Sequence, residues 1–383
     1  MNARDRHTLC ALLAEPTAPF REARILAWAE GFLAEAGVPA FRDPAGNLVV
    51  GAASRAEYLA RVRRRTREPL RVFVAHTDHP GFLVTRRLGP ARLAARWFGG
   101  GPVKHLIGAK VWIADDSGYV GAGRLAAVRL TRSGRGIAAV EVRLDTALPA
   151  SIPARSLYGG LAFRRPCWIG GQRLYTKAAD DLVGVFAILH TARALTAPRR
   201  EHFLGLLTRA EEVGFVGAIR HFELGWLANA NRPLLVISLE TSRTLPGAEI
   251  GRGPVVRLGD RRTVFDPHGL KVLEAVAART LPHAHQRRIM DGGTCEATAA
   301  LAFGLPAVGL SVPLGNYHNE GFEGGPDCRG ARGPAPEFVH LDDVAGLLKL
   351  CRALMQPGLP WDRPWRRLCR RLEANAARLA RRL

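Results

Sequence analysis

From Tyr175 onward the chain alternates apolar runs of helix length with short β-branched runs, and no other feature limits its fold so strongly. Leu182–Leu195 reads as a helix, His202–Thr208 as a strand, Val216–Phe222 as a helix and Pro233–Glu240 as a strand. Asp266–Thr280, Ala307–Val312 and Asp342–Met355 continue as helix, strand and helix. Strands separated by helices pair in parallel, because a tight hairpin cannot replace the crossover. The pattern therefore predicts an α/β sheet flanked by crossover helices. Upstream, Ile25, Leu26, Trp28, Ala29, Phe32 and Leu33 recur at helical spacing within Glu22–Ala36, and Gly37 stops that helix. Leu70–Ala75 is a β-branched strand that ends at His76.

Between these two α/β portions the texture changes. From about Phe82 to Gly171, short alternating runs such as Lys110–Ile113 and Ala138–Leu144 sit between Gly- and Asp-rich turns, the mark of antiparallel strands. A chain of 383 residues favours two domains. The economical division is one α/β domain built from residues 1–82 and 172–383, interrupted by a small antiparallel β domain at 83–171. The Gly- and Pro-rich segment Asn319–Pro336 reads as a mobile loop beside a site.

Charge and thiols narrow the function classes. The formal net charge is +21, but of 55 basic residues only five are Lys, and the Arg are scattered rather than gathered into a recognition module. That skew fits a GC-rich genome and excludes specific nucleic-acid binding as the leading expectation. The six Cys form no CxxC pair, so neither a zinc finger nor a disulfide framework is expected. No apolar run is long enough to span a bilayer, and the first twenty residues do not read as a secretory signal. The expected compartment is the cytoplasm. Trp361–Leu383 is a basic amphipathic helix, expected to dock on its own domain or on a neighbouring subunit rather than on a membrane.

Polar residues concentrate in five segments: Val74–Asp78, Lys177–Asp181, Thr208–Gly214, Ile237–Thr241 and Pro313–Glu320. Several follow strand-like runs directly, and in open α/β sheets ligands bind beyond the carboxyl ends of strands. Imidazole and carboxylate together suit Zn, Mn, Co or Fe. A bridging carboxylate holds two cations about 3.5–4 Å apart, and a further carboxylate must take the proton of the attacking water. Taken singly, each residue also has a plainer role. His76 suits a hydrogen-bonded strand end, Asp180-Asp181 a helix cap, Glu211-Glu212 a solvated turn and Glu240 an exposed position.

The order of these segments resembles the di-metal aminopeptidases of the M42 type, within the clan of co-catalytic zinc peptidases that includes the M20 and M28 families. The resemblance runs from about Leu9 to Leu350. It rests on Leu12-Leu-Ala-Glu-Pro-Thr, Asp43-Pro-Ala-Gly-Asn-Leu, His76-x-Asp78, Asp180-Asp181-x-x-Gly184, Glu211-Glu212-Val-Gly214, Gly292-Gly-Thr294 and His318. An insert of about a hundred residues between His76 and Asp180, with a short interval from Glu240 to His318, matches the M42 branch. The resemblance implies a phosphorylase/hydrolase-like mixed sheet flanked by helices, with the β insert shaping the entrance and the contacts of a homo-oligomer. It also implies two divalent ions per chain, Zn foremost, with Co and Mn as alternatives. His76, Asp180 and Glu240 would hold one ion; Asp180, Glu212 and His318 would hold the other, with Asp180 bridging. Glu211 would be the general base acting on a metal-bridged hydroxide. Asp78 would orient the His76 imidazole, and Asp181 would brace Asp180.

Departures from the family pattern change the pocket wall and remove no ligand. His79 stands where Glu is usual and reads as a surface or packing residue, Cys295 replaces Asp after Gly-Gly-Thr and reads as a small packed residue, and Asn316 takes the place of an Arg. Glu240 replaces the commoner Asp. The implied activity is hydrolysis of N-terminal peptide bonds, with preference open. Two other readings stand beside it: a di-metal amidohydrolase or deacylase of N-acyl amino acids, and a scaffold that keeps the fold without turnover.

Overall fold

The computed structural model describes residues 1–228 and 230–380. Helices α1 (Ala3–Ala14) and α2 (Ala23–Glu35) lead into strands β1 (Ala40–Arg42) and β2 (Leu48–Val50), helix α3 (Arg55–Arg63) and strand β3 (Leu70–His76). Six strands follow: β4 (Gly81–Gly89), β5 (Arg92–Phe98), β6 (Lys110–Asp115), β7 (Gly118–Leu130), β8 (Ile137–Leu144) and β9 (Tyr158–Leu161). The chain then returns through β10 (Cys167–Gly170), β11 (Arg173–Thr176), α4 (Leu182–Ala194), α5 (Ala197–Arg200), β12 (Phe203–Thr208), α6 (Val216–Glu223) and β13 (Leu234–Arg243). It ends with β14 (Val255–Asp260), α7 (Pro267–Thr280), β15 (Gln286–Met290), α8 (Glu296–Ala302), β16 (Ala307–Leu314), β17 (Glu337–His340), α9 (Leu341–Leu354) and α10 (Arg366–Leu379).

Among the described residues the large sheet runs β1-β2-β12-β3-β13-β16-β14-β15. Its centre, β12, β3, β13 and β16, is parallel, while β2 and β14 pair antiparallel with β12 and β16. β3 is buried along its whole length, as a central strand covered on both faces must be. β12 and β13 flank β3 on opposite sides, so successive connections leave in opposite directions and open a crevice at the carboxyl ends of the strands. α4 is buried on nearly every side, which explains why its apolar sequence shows no polar face.

β4 to β9 close into a barrel in the order β4-β5-β8-β7-β6-β9, with its own core around Phe82, Leu93, Trp97, Val111, Ile113 and Val142. β10, inside the segment expected to be the insert, pairs instead with β11, which pairs with β17. Trp168 stacks on Tyr175 with ring centroids 5.2 Å apart, and Phe338 lies tilted against Tyr175 at 5.4 Å, so aromatic contacts run across these three strands. That small sheet carries the chain from the barrel to Asp180. All six cysteines are free thiols; the sulfurs of Cys10 in α1 and Cys167 in β10 lie 2.7 Å apart.

Two expectations need correction. The segment Asn319–Pro336 is not loose. Arg164 binds Asp327 at 2.7 Å, Arg329 donates to the Ile107 carbonyl at 2.9 Å, Arg332 pairs with Glu320, and Asn316 holds the Gly324 and Pro336 carbonyls. The terminal helix begins at Arg366 rather than Trp361, and it does not dock along its own domain: none of its residues is buried, and Leu372 is 57% exposed. Residues 381–383 of that expected helix lie outside the described residues. Among the described residues no helix is long and apolar enough to cross a membrane.

Candidate metal centre

The four parallel strands deliver their polar ends to one place. His76 closes β3, Glu211 and Glu212 follow β12, Glu240 sits near the end of β13, and His318 follows β16. Asp180 arrives from the small sheet just before α4, and the peptide joining it to Asp181 is cis. Ligand atoms of His76, Asp180 and Glu240 lie within 4.8 Å of one another, as do those of Asp180, Glu212 and His318. The structure therefore brings five of the sequence-derived residues into two groups that share Asp180. His318 Nε2 is 3.2 Å from Glu212 and 3.8 Å from Asp180, and His76 Nε2 is 3.5 Å from Asp180. Glu211 stands at the same place, its carboxylate 3.8 Å from His76 Nε2.

Do these residues fit cations? Asp180 Oδ1 and Glu212 Oε1 are buried and accept no well-aligned hydrogen bond among the described residues; imidazole nitrogens approach them, His76 Nε2 at 3.5 Å and His318 Nε2 at 3.2 Å. A buried carboxylate oxygen left unpaired is costly, and a cation removes that cost. The donor set, two imidazoles and three carboxylates, suits a borderline divalent metal. The site fits the group.

The surrounding electrostatics say the same. Burial pushes the Glu211 carboxyl up, Glu212, Glu240 and Glu296 push it further, and His76 opposes them; the result lies well above the usual carboxylate range. Glu240 is raised to about 8, chiefly by burial, with Arg257 pulling the other way. Burial works against protonation of His318, yet Glu212 and Asp180 hold its imidazole at about 9. Crowded acids with no cation between them keep protons that a metal would displace.

Neighbouring residues fix the ligands, and here the structure differs from the sequence reading. The His76 Nδ1 faces the backbone carbonyl of Asp78 at 3.1 Å, not primarily its carboxylate. The Asp78 carboxylate instead accepts the backbone N–H groups of Glu211 and Glu212. Asp181 caps α4 through the Gly184 N–H at 3.2 Å and accepts the Thr241 hydroxyl at 3.0 Å. His79 is buried rather than on the surface, between the Asp180 carbonyl (2.9 Å) and Asn319 (3.1 Å). Cys295 is buried against Asp260, which accepts its backbone N–H at 3.2 Å.

Two residues escaped sequence reasoning. Glu337, fully buried on β17, accepts N–H bonds from Ala179, Asp180 and His318, so one carboxylate clamps the backbone of two candidate ligands. Arg257 of β14, 3% exposed, stands 3.9 Å from the Glu240 carboxylate. Neither belongs to a recognisable motif; each acts through pairing across strands distant in sequence.

A cleft of about 280 Å³ opens beside Glu240 and His318. Arg135, Arg243 and Arg257 line it, with Phe322 and Met290. Its acids are Glu240 and Glu320, the second of which pairs with Arg332.

Comparison with known proteins follows this geometry. No curated protein matches the chain. Among solved structures, the TET1 peptidase of Pyrococcus horikoshii is 21% identical over 92% of this chain and 99% of its own, with a TM-score of 0.69. A TET aminopeptidase from a marine-sediment thaumarchaeon is 18% identical, covering 93% of this chain and 97% of its own at a TM-score of 0.71. An M18-family aminopeptidase from Thermotoga maritima is 13% identical, covering 92% and 95% at 0.66. These likenesses show the fold, a mixed α/β peptidase architecture. The sequence model of one family matches residues 58–321, well over half of the chain, and on that match the chain belongs to the M42 glutamyl aminopeptidase family and is a hydrolase of that family.

Proposed function

We propose that the chain is an aminopeptidase dependent on two divalent ions, Zn foremost, working in the cytoplasm as a homo-oligomer. The observation that carries this reading is the pair of ligand groups sharing Asp180 with Glu211 beside them. His76, Asp180 and Glu240 would hold one ion, and Asp180, Glu212 and His318 the other. When bound, such ions polarise the scissile carbonyl and make water acidic enough to deprotonate near neutrality. Glu211 takes the proton of the attacking water and returns it to the departing amine. Asp78, through the N–H groups of Glu211 and Glu212, sets the turn that aims this base. Solved neighbours described as TET assemblies, one a dodecamer, support a homo-oligomer.

The arginines in the cleft favour an acidic N-terminal side chain. Glu240 is committed to a cation in this reading and Glu320 to Arg332, so Arg135 and Arg243 face the cleft with few competing acids. The family's description as glutamyl aminopeptidases agrees. A panel of aminoacyl-anilides tests it: release from glutamyl and aspartyl substrates, exceeding that from leucyl and lysyl ones, is expected. A preference for lysyl substrates would overturn the assignment of the cleft.

A further inference from the structure

Beyond α9 the chain leaves the body in a helix that fits none of the machinery above. Trp365, at the start of α10, rests on α7: Lys271 Nζ lies 5.4 Å from its ring centroid and the His268 ring 6.5 Å away. From there the helix has no buried residue. At about 100° per residue, Leu368, Cys369, Leu372, Ala376 and Leu379 share one side. Arg366, Arg367, Arg370, Arg371 and Arg378 take the other, against a single acid, Glu373. The apolar side faces solvent, with Leu372 57% and Leu379 39% exposed. One end is anchored, and both faces lack a partner among the described residues.

We propose that α10 is a docking surface for an anionic lipid bilayer. Three occupants can be compared by what each face requires. A nucleic acid would engage the arginines and leave the leucines in water. A second copy packing its own α10 here would cover the leucines and leave the arginines of both helices in water. An anionic bilayer uses both: leucines enter the acyl boundary while Arg366 and Arg371, at the borders of the stripe, reach back to the headgroups. A helix of 14 residues is about 21 Å long, enough to lie flat in the headgroup layer and too short to cross it.

The test is co-sedimentation of the full chain with phosphatidylcholine vesicles, with and without phosphatidylglycerol. Leu372→Asp/Leu379→Asp is compared with Ile107→Asp/Val264→Asp, whose parent residues are 60% and 77% exposed elsewhere on the surface. Both doubles alter the net charge equally, so general attraction falls equally in each. The expected result is binding only to the anionic vesicles, reduced at least about tenfold in the α10 double and by no more than about twofold in the control, with unchanged thermal melting. Equal losses in the two doubles would overturn the proposal, because binding would then be charge alone. It would also be overturned by an α10 double that binds vesicles as the parent does, whether or not its assembly size changes. The outcome is independent of peptidase activity, which the same preparations report separately.

Discussion

The carboxylate of Asp78 holds the backbone N–H of Glu211 at 2.9 Å, across 133 residues of sequence, and that of Glu212 at 3.2 Å. One side chain at the end of β3 thus sets the turn after β12. Asp78→Asn places an amide N–H against one of these donors. Hydrogen bonds to a charged acceptor contribute about 1.5–3 kcal/mol, so kcat should fall about 10- to 100-fold with KM little changed. An unaltered kcat would remove Asp78 from the account.

The barrel touches the centre at Gly100. A Cβ added there would collide with the His318 imidazole, which is stacked on Tyr317 with ring centroids 3.8 Å apart and cannot retreat freely. Gly100→Ala should therefore displace His318, lower the metal content by up to one ion per chain and leave the fold intact. Elemental analysis beside thermal melting decides this; full metal occupancy in the variant would show that the contact yields.

Stability against pH should depend on metal. Glu240 and Glu337 are raised to about 8 and Glu296 to about 7, burial being the largest cause in each. A carboxyl raised in the folded state stabilises the fold fully below its unfolded value of about 4.3, and that contribution is lost as pH rises through the folded value. The metal-free protein should accordingly melt at progressively lower temperature from about pH 4 to pH 8, and added zinc should restore most of the loss at pH 8. A metal-free melting temperature that rises across this window would contradict the crowded-acid picture.

Much of this was legible in sequence for definite reasons. The seven helices and strands expected between Leu182 and Met355 differ from the structure by no more than a few residues at their ends, because apolar periodicity and caps such as Asp181 and Asp266 are local signals. β14 and β15, with the short α5, α8 and β17, were not foreseen: Val255–Asp260 is interrupted by Arg257 and Gly259, and Gln286-Arg-Arg-Ile-Met carries arginines where a strand signal is sought. Closure of the barrel depends on β4 pairing with β9, a long-range register that local alternation does not encode. Four of the five candidate ligands lie near or just beyond the ends of parallel strands and Asp180 lies just before α4, and their order along the chain reveals them. Glu337 and Arg257 lie within strands and acquire their neighbours only through the sheet.

Substrate choice should follow charge in the cleft. Arg243 is exposed, lines the cleft, and lies over the Phe322 ring at 3.9 Å. Arg243→Gln should raise KM for a glutamyl substrate about 5- to 20-fold and leave a leucyl substrate nearly unchanged, as expected for loss of one charge-assisted bond of about 1–2 kcal/mol. Equal effects on both substrates would assign Arg243 a role in shape rather than recognition.

The central claim, that Glu211 is the base of a di-metal aminopeptidase, is tested most directly by mass-spectrometric digestion of matched peptide pools, one with free and one with acetylated N-termini. Zinc- or cobalt-loaded protein is set beside its Glu211→Gln variant. The account predicts stepwise loss of N-terminal residues from the free pool alone, and a fall of about 10²- to 10⁴-fold in the variant at unchanged metal content. Removal of the acetyl group, or undiminished turnover by a metal-replete Glu211→Gln protein, would contradict it.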